Sequence, residues 1–194
     1  MGLQIEDGTG KGNLAKVTEE NQLIIRGETH ELQHHQSRRN QQVYQVISVD
    51  TGITAKTQTL LHLINNDANR DVVVSFIRMQ AITDTASKPV VGEYFEIGFG
   101  RTVSSGGTAA TPVNVNQKSG NTASVTCTGI DPTMAGTFTA IDRIYNKASG
   151  DEYVFNKQGS IILGLNDTLE VRLVSAGAGE AKCRITFMMI DTSI

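Results

Sequence analysis

From Val43 onward the chain alternates apolar and polar residues with a period of two, the spacing that sends successive side chains to opposite faces of a strand. Residues 59–64 set Leu61 and Leu63 against Leu60, His62 and Ile64. In residues 71–82, Val73, Ile77, Met79 and Ala81 share a phase opposite Arg78 and Gln80. Residues 93–99 group Phe95, Ile97 and Phe99 against Tyr94, Glu96 and Gly98, and residues 122–128 group Ala123, Val125 and Cys127 against Thr122, Ser124, Thr126 and Thr128. The last third is the most regular. Leu169, Val171 and Leu173 oppose Thr168, Glu170 and Arg172, and then Cys183, Ile185, Phe187 and Met189 oppose Lys182, Arg184 and Thr186. Each of these patterns predicts a half-buried strand, apolar inward and polar outward.

Turn-forming residues separate the strands: Asn65 to Asp67, Ser104 to Gly107, Gly164 to Asp167, and Gly177 to Gly179. Residues 132–146 lack clear alternation and are expected to form a loop with a short helix around Ile141 to Tyr145. About eight strands with no alternating helices predict an all-β fold, an antiparallel β-sandwich or barrel, rather than a parallel α/β sheet. No internal repeat of solenoid or propeller length is visible.

The first 22 residues are different, with Gly8, Gly10, Gly12 and many charges between widely spaced apolar positions. They bury little surface locally and are expected to form an extended N-terminal arm. A short apolar run from Leu23 to about Thr29 leads into a polar stretch, His30 to Gln42, that is either one surface helix or a loop. The predicted organisation is an arm with a polar connecting segment over residues 1–42 and a sandwich domain over residues 43–194.

Composition supports the strand assignment. Thr, Ile and Val number 21, 17 and 16, so 54 of 194 residues are β-branched, against 11 Leu. Branched side chains lose rotamer freedom in a helix and pack well on a pleated surface. A net charge of −3 supplies no positive field to hold a nucleic-acid backbone or an anionic membrane, so neither is an expected partner. No stretch approaches the roughly 20 apolar residues that span a bilayer. The N-terminus places glycines and acids where a signal peptide has its apolar core, so a soluble protein without a cleaved export signal is expected.

Candidate chemistry is sparse. The stretch DGTGKGN at residues 7–13 lacks the spacing and the strand-to-helix context of a phosphate loop and is expected to be a flexible turn. His30 and His34 have the i, i+4 spacing of one helical face, with His35 and Glu31 nearby, but HExxH is absent. The default is a solvated polar segment; metal binding there would require three copies around a trimer axis. Cys127 and Cys183 are too few for a disulfide framework or a Cys-based zinc site. Buried thiols are the leading reading of the pair, with a disulfide or an intersubunit crosslink as alternatives.

No GxSxG elbow occurs, and His62 lies in an apolar strand, so no activated nucleophile can be assembled. Paired acids for glycoside hydrolysis need a cleft lined by aromatics, and with 5% aromatic residues and no Trp a glycosidase or lectin is disfavoured. Asn166 to Thr168 matches a glycosylation sequon but reads better as a hairpin turn. No catalytic, cofactor-binding or metal-ligating residue is predicted, and the protein is expected not to be an enzyme.

Two stretches carry a resemblance to a known group. The opening, GLQIEDGTGKGNLAKVTEENQLIIRGET, resembles the start of small virion proteins of tailed bacteriophages. The closing GSIILGLNDTLEVRLVSAGAGEAKCRITFMMID is similar to the last strands of the same group, and DPTMAGTFTAIDRIY in the middle also fits. Together they cover about half the chain. The resemblance implies a virion structural protein of the capsid decoration, or cement, type: a jelly-roll-like β-sandwich, often a homotrimer, made in the host cytoplasm and carried on the phage head. It implies the major capsid protein as partner and no cofactor. On this reading the arm residues Leu3, Ile5, Leu14, Val17 and Leu23 contact the capsid or neighbouring subunits. A tail, neck or fibre subunit with receptor or glycan binding is the alternative, with Tyr44, Tyr94, Tyr145 and Tyr153 as the stacking platform.

Overall fold

The computed structural model describes residues 16–17, 23–24, 42–54, 56–83, 93–146, 150–156, 160–175 and 177–192. The chain divides into two compact units, Met1–Glu31 and Leu32–Ile194. In the first, β1 (Lys16–Val17) and β2 (Leu23–Ile24) pair antiparallel, with Lys16 opposite Ile24 and Val17 opposite Leu23.

The second unit is an antiparallel β-sandwich. Its strands are β3 (Val43–Ile53), β4 (Thr57–Asn65), β5 (Arg70–Thr83), β6 (Tyr94–Ser105), β7 (Thr108–Ala109), β8 (Val113–Asn114), β9 (Val125–Gly129), β10 (Thr133–Tyr145), β11 (Glu152–Phe155), β12 (Ile161–Leu163), β13 (Thr168–Val174) and β14 (Gly179–Asp191). Sheet I has the order β10-β6-β13-β4-β9-β7; sheet II has the order β11-β5-β14-β3-β8, with β12 also pairing β5. Most connections pass from one sheet to the other, so sequence neighbours face each other across the core. The turn from Gly164 to Asp167 is one of these crossings and not a hairpin, because β12 belongs to sheet II and β13 to sheet I. Asn166 adopts a left-handed φ of 64° there, and Asp167 Oδ2 accepts the Gly164 N–H at 2.9 Å.

The core forms where the two inner faces meet. Leu169, Val171 and Leu173 of β13 and Phe95 and Ile97 of β6 come from sheet I; Cys183, Ile185, Phe187 and Met189 of β14 and Ile77, Met79 and Ala81 of β5 come from sheet II, and all are buried. Each fully buried large apolar side chain contributes about 1.5–3 kcal/mol.

Three further expectations need correction. Leu60 does not oppose Leu61 and Leu63: Val171 and Arg172 pair with Leu61 and Thr59, which leaves Leu60 as the extra residue of a bulge and buries it in the same core. Val73 does not share the face of Ile77. The register of β14 against β5 slips between Thr186 and Phe187, which pair with Phe76 and Val74, leaving Ser75 as the extra residue of a bulge. Val72 and Val74 therefore point inward, and Val73 joins Val43 and Met188 in a separate cluster on the outer face of sheet II. Residues 132–146 hold no helix: they are the strand β10, paired with β6 along its length. Three register shifts interrupt that pairing; those between Gly136 and Thr139 and between Ala140 and Asp142 each add a residue to β10 and move its side-chain phase by one, which erases the period-two signal.

Candidate interaction faces

On the outer face of sheet I, charged side chains are buried. The alternation of β13 sends Thr168, Glu170 and Arg172 outward, and the ladder sets Arg172 opposite Glu96 and Glu170 opposite His62. Glu96 is 2% exposed, and both its oxygens are occupied. Arg143 donates from Nε and Nη2 to Oε1 at 3.1 and 2.7 Å, and Arg172 donates from Nε to Oε2 at 2.7 Å. Burial works against the Glu96 charge, but the hydrogen bonds and charges of Arg143 and Arg172 outweigh it and hold the carboxyl below the usual carboxylate range.

The Phe138 ring, carried over the sheet by a bulged part of β10, lies 3.6 Å from the Arg172 guanidinium carbon. Gly98 makes room for it, since a Cβ there would stand 2.5 Å from Phe138 Cζ and 2.4 Å from the Thr139 carbonyl oxygen. Glu170, 1% exposed, accepts from Thr59 Oγ1 at 2.6 Å and from Arg101 Nη1 at 3.3 Å, both at Oε1. Its Oε2 is buried without a hydrogen-bond partner. His62 donates from Nε2 to the Arg101 carbonyl oxygen at 2.9 Å, and burial lowers its pKa, so the ring is neutral at pH 7.

This arrangement binds strands together. A carboxyl acting as a general acid needs a raised pKa and an open proton path; Glu96 has a lowered pKa and two guanidinium partners. Among the described residues no group of three or more His, Cys, Asp or Glu is placed to hold a metal ion.

The other sequence candidates scatter. Cys127 and Cys183 are free buried thiols on the inner faces of sheets I and II, and burial pushes Cys127 up to about 12 and raises Cys183 as well. The four tyrosines form no common platform. Tyr44 is buried against Phe187 with centroids 5.7 Å apart, and Tyr153 tilts against Phe95 at 5.9 Å. Tyr94 and Tyr145 pair at 5.5 Å, with Tyr145 58% exposed. Leu3, Ile5 and Leu14, together with His30, His34, His35 and the DGTGKGN stretch, lie outside the described residues. Val17 and Leu23 are backbone partners in the β1–β2 ladder. A cleft of about 370 Å³ opens between β6 and the β12–β13 turn, lined by Phe99, Thr102, Ile162, Asn166 and Asp167 among others.

Away from the buried Val43, Val73 and Met188 cluster, the outer face of sheet II is open. Its cross-strand rows follow from the registers: Ile47, Arg184, Arg78 and Val154 form one, and Val49, Lys182, Gln80 and Glu152 the next. Ile47, Val49, Ile82, Val154 and Ile162 are each at least 40% exposed on this one face. Arg78 reaches Glu152 at 3.2 Å, and Lys182 reaches Glu180 at 2.8 Å. Arg184 has no carboxylate partner among the described residues and stands directly opposite Arg78.

Sequence reasoning missed both charged clusters. The outward phase of Glu170, Arg172, Lys182 and Arg184 was readable, but which strands flank them was not. No family model, no curated protein and no solved structure matches the chain.

Proposed function

We propose that this protein is a non-enzymatic structural component of a tailed-phage virion, a capsid decoration or cement protein. Its sandwich body docks on the particle, and its N-terminal arm contacts the major capsid protein or neighbouring subunits. The observation that carries the reading is the outer face of sheet II, where exposed Ile47, Val49 and Val154 flank Arg184, which has no carboxylate partner among the described residues. Aliphatic side chains around an arginine suit a protein partner better than a small substrate. The resemblance of the opening and closing segments to small phage virion proteins supplies the partner class.

In this reading the body is jelly-roll-like and assembles as a homotrimer, so that weak contacts repeat by symmetry and gain avidity over a lattice. Immunogold electron microscopy of purified virions, with antibody against this chain, tests it. Label spread over the head is the expected result. Deleting residues 2–22 should then leave the sandwich folded and weaken capsid binding, because the arm supplies contacts and little core; unchanged binding by a folded truncation would refute the arm's role. Label confined to neck, tail or fibre would replace the decoration assignment with the alternative subunit, and there the exposed Tyr145 beside Tyr94 is the stacking surface for a receptor glycan. An unlabelled particle would retire the virion assignment.

A further inference from the structure

Arg184 and Arg78 are direct partners on neighbouring central strands of sheet II, and like charges directly opposite each other destabilise a sheet. Glu152 neutralises Arg78 from the edge strand β11. Glu180 is taken up by Lys182. That leaves the Arg184 guanidinium as surplus positive charge in the middle of the face, beside a surface depression of about 100 Å³ lined by Ile47, Arg78, Gln80, Glu152, Lys182 and Arg184. Phe76 lies 5.3 Å beneath the Arg78 guanidinium and steadies it along the sheet. Arg184 and Arg78, opposite each other in the ladder, can both offer N–H donors to one carboxylate, Arg78 while it keeps Glu152. Ile47 at 48%, Val49 at 40% and Val154 at 50% exposure flank that pair with aliphatic surface.

The occupant this face fits is extended, apolar at alternate positions and acidic. Residues 3–7 carry the apolar and acidic part of that pattern in sequence: Leu3 and Ile5 are aliphatic at alternate positions, and Glu6 and Asp7 are carboxylates. We infer that the outer face of sheet II receives residues 3–7 of a second copy of this chain, with Glu6 or Asp7 seated between Arg184 and Arg78 and the aliphatic residues against Ile47 and Val49. This rests on the proposed reading of the N-terminal segment as an arm that reaches a neighbouring subunit. Such a contact is head-to-tail, the kind that closes into a ring when its rotation allows, so it accounts for a cyclic oligomer without a symmetric face-to-face interface.

The test is sedimentation of the full-length chain over a dilution series, with far-UV circular dichroism to confirm folding of each variant. The wild type should self-associate. Arg184→Glu, and separately the pair Glu6→Lys with Asp7→Lys, should each weaken association by at least about tenfold. Joining all three substitutions should restore it, because the charges are exchanged between the partners. Should Arg184→Glu fail to fold, Arg184→Gln removes the charge more gently and is expected to weaken association in the same direction.

A wild type that stays monomeric throughout, or self-association unmoved by a folded Arg184 variant, would overturn the inference. So would a triple variant that fails to recover, since that would place the arm elsewhere. The two proposals fail separately. Loss of this contact leaves virion labelling and capsid binding of the arm to be read on their own, and charge-swap rescue in a protein that does not label virions would keep the contact and retire the virion reading.

Discussion

Glu96→Gln is expected to destabilise the sandwich by an amount that the site geometry sets. The substitution keeps the shape of the side chain and removes the charge that Arg143 and Arg172 share. Breaking a buried ion pair from one side costs about 3–5 kcal/mol. Here the Arg143 side chain is 46% exposed and that of Arg172 is 21%, so both guanidiniums recover some water, and the expected loss is about 2–3 kcal/mol. With a urea m-value of about 2 kcal/mol/M, the unfolding midpoint should fall by about 1 to 1.5 M at neutral pH. Far-UV circular dichroism is the suitable probe, since the chain has no Trp.

The pH dependence gives a second check on the same residue. Because the folded carboxyl lies below its ordinary value of 4.5, its stabilisation is present above that value and is lost as pH falls through the lower folded value. The difference between wild type and Glu96→Gln should therefore be constant near neutrality and narrow below pH 4.5. A midpoint within about 0.2 M of wild type at neutral pH would refute the reasoning. A gap that does not narrow in acid would show that the loss comes from packing and not from charge.

Two further outcomes follow from the same geometry. Gly98→Ala drives a Cβ into the Phe138 ring and the Thr139 carbonyl oxygen, so it should lower the melting temperature through a loss of about 1–3 kcal/mol, and an unchanged melting curve would show that Phe138 is not seated there. Cys127 and Cys183 should resist iodoacetamide at pH 8 in the native protein and react promptly in denaturant, because burial raises both thiols well above that pH; rapid native labelling would contradict their placement in the core.

The regular strands were legible because their partners leave the two-residue period intact. β13 and the far half of β14 each bury one phase from end to end, and Leu169 to Leu173 and Cys183 to Met189 fall inward as their alternation requires. The period misled wherever a bulge intervened. Ser75 adds one residue to β5 and throws Val73 to the other face, and the shifts in β10 hide a 13-residue strand. Nothing in residues 70–76 taken alone marks that slip, since it exists only relative to β14. The Glu96–Arg172 clamp was invisible for a related reason: it depends on β13 lying beside β6, 76 residues away in sequence, and strand order is a tertiary property. Phe138 over Arg172 adds a bulge to that requirement.

On the reading proposed above, the two outer faces divide stability from recognition. On sheet I the charges close on one another, so Glu96, Arg143, Arg172, Glu170 and Arg101 tie β10, β6 and β13 in one register. An apolar substitute of the same volume could supply comparable energy, but a guanidinium pair on one carboxylate also fixes which residues lie opposite each other across strands that bulges would otherwise let slide. On sheet II the arrangement runs the other way, because Arg184 stands opposite Arg78, a pairing that works against the sheet, and has no carboxylate partner among the described residues. On the proposed reading, a sheet that exposes Ile47, Val49 and Val154 around such a pair does so for the partner it meets. Charge changes on sheet I should accordingly move the unfolding midpoint and leave self-association of the folded protein alone, whereas Arg184→Glu should move association and, at dilutions where the wild type is monomeric, leave the midpoint unchanged or raise it. Coupled losses at both faces would break that division.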